Sequence, residues 1–248
     1  QLKFGQYKVP FGRQELTSSG SQQFVDRSIA SAEFARGRDI GVQIWGQPLG
    51  GKLDWRLGVF NGNGRTVARN DNDKYQYNAR LTWQPFGDVK YSESDFESTD
   101  KPLFALSGQY ESNDRHGATA PTSTNPGDDI DREIVGGDVV FKYKGFSAYA
   151  EIYQATSNPE IATDFDSEGL IVQVGYFVIP KKFEVALRLS TIDPTDLRDN
   201  DEREERGLAL GYFFNKHPYK LQADFREVED KRRNITDKEF RLQYQLIF

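Results

Sequence analysis

The chain has no cysteine, no methionine and only two histidines among its 248 residues. Without cysteine there is neither a disulfide framework nor a thiolate metal site. With His116 and His217 as the only imidazoles, a histidine metal centre or a Ser-His-carboxylate arrangement is poorly supplied. No catalytic residue, metal ligand or cofactor is assigned, and the chain is expected not to be an enzyme. The absence of methionine means that residue 1 is not an initiator, so a removed signal peptide or residues upstream of the chain are expected. Long apolar runs are missing too. The longest, YFVIP, is far short of the roughly 20 apolar residues a helical span needs. Basic excess is also absent: the net charge is -6 and the pI about 5.2, which argues against a nucleic-acid partner.

Alternation with a period of two is what the sequence does have, many times over. In KYQYNARLTWQP, Tyr75, Tyr77, Ala79, Leu81 and Trp83 oppose Gln76, Asn78, Arg80, Thr82 and Gln84. In GKLDWRLGVF, Leu53, Trp55, Leu57 and Val59 oppose Asp54, Arg56 and Gly58. In EFRLQYQLIF, Phe240, Leu242, Tyr244, Leu246 and Phe248 oppose Glu239, Arg241, Gln243 and Gln245, with Ile247 the exception. Such stretches read as strands with two different surroundings. About 12 of them are visible, each of roughly 9–11 residues, the length that crosses a bilayer at a tilt. No long amphipathic helix is expected.

The connections alternate in length. WGQPLGGK, KYKGF, VIPKKF and NKHPY read as tight turns. NGNGRTVARNDND, SNDRHGATAPTSTNPGDDIDRE, TSNPEIATDFDSE, DPTDLRDNDEREER and EDKRRNITDK read as long polar loops. Short turns on one side and long loops on the other mark an outer-membrane barrel. FGDVKYSESDFESTDK breaks the rule, falling where a short turn is expected. The acidic stretches NPGDDIDRE and RNDND lack full calcium-loop spacing and read as solvated loops. FNGNGR lacks the strand–helix context of a phosphate-cradling loop and reads as a turn.

A soluble barrel could alternate as well, but its apolar rows would point inward and fill it. Twelve strands enclose more space than side chains easily fill, and the polar rows carry Arg, Asp and Glu on strand after strand. The aromatics near strand ends, Tyr75, Trp83, Tyr110, Tyr143, Tyr176, Tyr219 and Phe248, suit interfacial girdles. The expected fold is therefore all-β, a transmembrane antiparallel up-and-down barrel forming one domain over residues 1–248.

The block KFGQYKVPFGRQELTSSGSQQFVDRSIASAEFARGRDIGVQIWG resembles the phosphate-selective porin O and P family. GQYKVPFG, Glu15 to Ser19, FVDRS at 24–28 and the Arg-Gly-Arg-Asp run at 36–39 carry the likeness. Beyond about residue 65 it reduces to barrel patterning and the terminal aromatic. The resemblance implies a Gram-negative outer-membrane porin, usually trimeric, that draws anions such as phosphate through an arginine-lined pore. Family members have about 16 strands, so four more strands outside this chain, or a smaller barrel, are both open. The row Phe240, Leu242, Tyr244, Leu246, Phe248 looks like the signal read by the outer-membrane barrel assembly machinery. Lipid, lipopolysaccharide and small hydrophilic or anionic solutes are the other expected partners.

Residues 10–38 form the longest connection and are expected to fold inward and narrow the lumen. Its cations, Arg13, Arg27, Arg36 and Arg38, could attract and partly dehydrate anions. They could equally pair with Glu15, Asp26, Glu33 and Asp39 and pin the loop. Inward strand positions add Arg56, Arg80, Lys142, Arg188, Lys220, Arg226 and Arg241, against Asp54, Asp138, Glu151, Glu184, Asp224 and Glu239. That near balance does not by itself make an anion-selective lining. A second reading, an envelope anchor or a sheath around a partner protein with little free diffusion, stays open beside the porin.

Overall fold

A computed structural model describes residues 1–65, 67, 69–70, 72–118 and 128–247, the side chains of 116–118 excepted. Twelve strands account for most of it. They are β1 (Leu2–Lys8), β2 (Arg38–Gly46), β3 (Leu53–Phe60), β4 (Gln76–Trp83), β5 (Leu103–Ala118) and β6 (Asp128–Tyr143), then β7 (Phe146–Pro159), β8 (Phe165–Ile179), β9 (Phe183–Asp193), β10 (Arg203–Asn215), β11 (Tyr219–Asp230) and β12 (Ile235–Leu246). The only α-helices among the described residues are α1 (Arg13–Leu16) and α2 (Ile29–Phe34). The strands form a single antiparallel sheet in sequence order, with β1 and β12 as its two edges, unpaired with each other.

Register keeps each chemical row on one face. Leu57, Ala79, Tyr110 and Val135 are cross-strand partners in turn. Leu57 and Val135 are about half exposed. Asp54, Thr82, Ser107, Asp138 and Glu151 form the matching inner row and are all buried. Leucines and aromatics outside with carboxylates buried inside invert the soluble pattern, and only a lipid-facing exterior makes it favourable.

The tight turns lie at one end of the sheet. Lys144 and Gly145, with φ of 47° and 83°, make the two-residue β6–β7 hairpin, a turn that needs positive φ at both positions. Gln1 pairs with Trp45 and Ile247 with Pro218 at this same end. Several strands are longer than expected. β5 and β6 have 16 residues each and β8 has 15, so much of SNDRHGA, DDIDRE and DFDSE is ladder rather than loop. Cross-strand pairing continues past the apolar band, from the Glu111 and Ile134 pair to the Arg115 and Ile130 pair between β5 and β6. His116 accordingly lies in β5.

The core lies inside the curled sheet. Phe11, Ile29 and Phe34 of the 9–37 connection pack on Ile134, Tyr153 and Ile171 of the wall.

Candidate functional site

Two segments enter the interior from opposite ends. The connection 9–37 descends from the long-loop end. The irregular connection 84–102 rises from the short-turn end, which is why it is too long for a turn. They meet at Glu93, whose carboxylate accepts from Gln14 Nε2 at 3.1 Å, Gln23 N at 2.7 Å and Gln173 Nε2 at 2.9 Å. Glu93 N in turn donates to Ser21 O at 3.1 Å.

Wall residues hold the first segment by its backbone. Glu151 on β7 accepts from Arg13 N at 2.6 Å and Gln14 N at 3.2 Å, meeting the unpaired N–H groups that open α1. Ser28 caps α2 through Ser31 N at 3.2 Å, and Glu205 on β10 accepts from Ile29 N at 2.8 Å. Lys220 on β11 donates to Gln22 O at 2.9 Å. Inward glycines on the strands make room for the loop's large side chains. A Cβ on Gly169 would stand 2.5 Å from the Phe34 ring, and one on Gly207 would stand 2.7 Å from the Phe24 ring. Phe24 is fully buried, and the Arg188 guanidinium lies 4.1 Å from its ring centre.

The second segment is fastened near the short turns. Phe96 packs against Phe177, Phe213 and His217 at centroid distances of 5.0, 4.7 and 4.7 Å. Asp95 accepts from Gly145 N at 2.8 Å, and Glu97 pairs with Lys216 at 3.1 Å.

The inward cations expected to line the pore divide into two groups. Arg13, Arg80, Arg188 and Lys220 point inward but are at most 5% exposed, because the infolded segments cover them. Arg13 donates to the carbonyls of Val89 and Lys90, Arg80 pairs with Asp138, and Arg188 Nε bonds Glu205 at 2.8 Å. All four are held by partners within the protein, and so is Lys142, whose ammonium is bound by the carbonyls of Ser92 and Ser94. Breaking one partner of such a buried pair costs about 3–5 kcal/mol.

The other group retains contact with open space. Arg56 pairs with Asp54 at 2.7 Å and faces Tyr91, which Arg13 approaches from its own side. Arg226 pairs with Glu239, and Arg241 joins Asp224 and Asp26. Arg36 bonds the Gly62 carbonyl and lies 3.9 Å from Glu111. Arg27 pairs with Glu15 at 2.7 Å. Arg38 is exposed and forms no ion pair among the described residues. Of the carboxylates expected as loop partners, only Glu15 pairs within the loop. Asp39 instead accepts from Gly62 N and Gly64 N, which places FNGNGR in a turn bent around that carboxylate.

Cavities remain in the interior among the described residues. One of 460 Å³ near the long loops is lined by Arg36, Glu111, Arg115 and Arg132. One of 290 Å³ is lined by Arg13, Asp54, Arg56, Lys90 and Tyr91. One of 270 Å³ near the short turns is lined by Phe96, Lys142, Lys216 and His217. No cluster of metal-ligating side chains occurs among the described residues.

Phe240, Leu242, Tyr244 and Leu246 stand on the outer face of β12, between 46% and 71% exposed, while Phe248 lies outside the described residues. The roles of Glu93, Phe24 and Phe34, and the inward course of the 84–102 insertion, escaped the sequence reading. The signal for them was the run of glycines at inward positions, Gly169, Gly175, Gly207 and Gly211.

An apolar exterior, a polar interior and a connection folded into the lumen define an outer-membrane β-barrel of the porin type. The chain belongs to the phosphate-selective porin O and P family, whose model matches residues 1–248, well past the block in which the resemblance is concentrated. Family and fold place it in the bacterial outer membrane. An uncharacterized protein of Aquifex aeolicus (strain VF5) is 21% identical over 269 residues, an alignment that takes in 100% of this chain and 64% of that relative's length. Two solved structures of OmpT, an outer membrane protein of Vibrio cholerae, share the fold at 10% identity. The loop L8 deletion mutant gives a TM-score of 0.63 over 98% of this chain and 74% of its own, and the in-vitro folded protein gives 0.61 over 99% and 71%.

Proposed function

We propose that this protein is a passive diffusion channel for small hydrophilic solutes, with a modest preference for anions such as phosphate, and performs no chemistry on them. The observation that carries this reading is the two-sidedness of the 9–37 connection. One side, Phe11, residues 22–24 and 28–31, and Phe34, is sealed against β5–β11. The other presents Ser18, Ser19, Asp26 and Arg27 to open space, beside Arg38 at the start of β2. Solute would pass along that polar face, on the side of β1 and β12. Unpaired sheet edges are not tolerated in hydrocarbon, so we infer that both edges are closed in the membrane, by each other or by further strands. A homotrimer, contact with lipopolysaccharide and delivery by the barrel assembly machinery complete the proposal.

Planar-bilayer recordings under a salt gradient test it. A steady conductance is expected, with a reversal potential favouring anions that Arg38→Glu moves toward cations. Unchanged selectivity in that variant would assign Arg38 a structural role. The extent of interior filling by 9–37 and 84–102 favours a second reading, a barrel that anchors or sheathes a partner. A correctly folded protein with negligible conductance would select it.

A further inference from the structure

Three cations gather around a single carboxylate at the start of the infolded connection. Glu15 Oε2 lies 2.7 Å from Arg27 Nε, and Glu15 Oε1 lies 3.7 Å from Lys8 Nζ. Arg38 is close enough to join Lys8 and Arg27 in acting on the Glu15 charge. Three positive charges face one negative charge, and all four groups keep some exposure.

We propose that Glu15 is a specificity-determining residue of the channel, its carboxylate standing between Arg27 and Lys8 where a permeating oxyanion would bind and so keeping that site weak. The inference rests on the channel function proposed above. A carboxylate offers two acceptor oxygens in a plane, the same chemistry as one edge of phosphate or sulfate, so guanidinium and ammonium donors serve either. Held on the protein, it is present at far higher effective concentration than any solute. A solute anion therefore finds Arg27 already engaged and interacts mainly with the remaining charge of Lys8 and Arg38.

The cations do not depend on this carboxylate for their positions. Lys8 Nζ donates to Thr17 O at 2.9 Å and also to the Glu15 carbonyl. Arg27 donates to Gln14 O at 3.4 Å, Glu15 O at 3.3 Å and Thr17 O at 3.1 Å. All of these acceptors are backbone carbonyls. α1 itself is anchored through Arg13 N and Gln14 N to Glu151. Removing the charge of Glu15 thus leaves a cluster with its donors in place and its internal acceptor gone. Glu15 is also the group in this cluster that titrates in the acid range. Burial raises its pKa above the usual carboxylate value, and Arg27, Lys8 and Arg38 oppose that rise. The groups facing it are Lys8 on β1, Arg27 on the connection and Arg38 at the start of β2.

The test compares wild type, Glu15→Gln and Glu33→Gln, the last removing the same charge from an exposed position on the same connection. Chloride current is recorded while phosphate or sulfate is added, and sulfate binding to the detergent-solubilised proteins is measured calorimetrically. Glu15→Gln is expected to lower the half-blocking oxyanion concentration about tenfold or more, tighten calorimetric binding to the same degree and shift reversal potential toward anions. Glu33→Gln should do none of these. In wild type, sulfate block should strengthen as the pH falls through the titration of Glu15, and Glu15→Gln should lose that dependence. Equal block and equal binding in wild type and Glu15→Gln, or equal changes in both variants, overturn the proposal. Absence of any conductance in folded wild type would instead sink the channel reading, and calorimetry would still decide whether Glu15 competes with oxyanions.

Discussion

The ring of Phe24 occupies the space that a side chain at Gly207 would need: a Cβ there would stand 2.7 Å from Phe24 Cε1. The infolded connection is thereby keyed to a particular strand of the wall. Gly207→Ala should displace the ring and the Gln22–Phe24 backbone with it, at a cost of about 1–3 kcal/mol. Urea unfolding in detergent would measure the loss, and Phe24→Leu in the same chain should recover part of it. Gly108→Ala, where a Cβ meets nothing within 4 Å, is the control expected to change little.

Sidedness makes a second prediction. Leu81 projects from β4 between Trp55 and Gly108 and is 51% exposed. Leu81→Arg should cost about 2–4 kcal/mol for folding into lipid vesicles if it sits near the bilayer midplane. Tyr75→Arg, beyond the end of the strand, should cost about 1 kcal/mol or less. Equal costs at the two positions would contradict a lipid-facing Leu81.

The short-turn end supplies a pH test. The ring of His217 lies between Phe96 and Phe213, with Nε2 3.0 Å from Ser92 Oγ and Nδ1 3.4 Å from Lys220 Nζ. A lysine ammonium only donates, so the ring accepts at Nδ1 and donates from Nε2 in its neutral form. Burial, with Lys220 and Lys142 adding to it, pulls the His217 pKa from 6.5 to about 2. Below pH 6.5 the unfolded chain therefore binds a proton that the folded chain refuses, and stability falls as the pH drops. The slope from this group approaches about 1.4 kcal/mol per pH unit. Wild type should lose more stability than His217→Gln between pH 7 and pH 4.5 in matched urea titrations. A smaller loss in wild type would mean that the folded ring is charged.

The strands were legible because alternation needs only neighbours in sequence: rows such as Tyr75 to Trp83 state their own two environments. Their upper ends were not, since Ser112, Asn113 and Asp131 are polar on both faces there and resemble loop while continuing the ladder. Alternation also cannot distinguish an inward residue facing water from one facing another part of the chain. Arg80 and Arg56 are direct partners on the inner face, yet only Arg80 is covered. The insertion 84–102 was visible as an anomaly of length. Its role was not, because the partners of Glu93 and Phe96 lie between 70 and 121 positions away in sequence, as Gln14 to Glu93 at 79 positions illustrates.

The meeting of the two infolded segments also imposes an order of events on assembly. Phe24 precedes its seat at Gly207 on β10, and Asp26 its partner Arg241, by some two hundred residues in sequence. The connection therefore cannot dock fully until the β10, β11 and β12 strands that receive Phe24 and Asp26 have been made. Narrowing of the passage is therefore a late step, and a newly inserted wall would be transiently wider than the mature one.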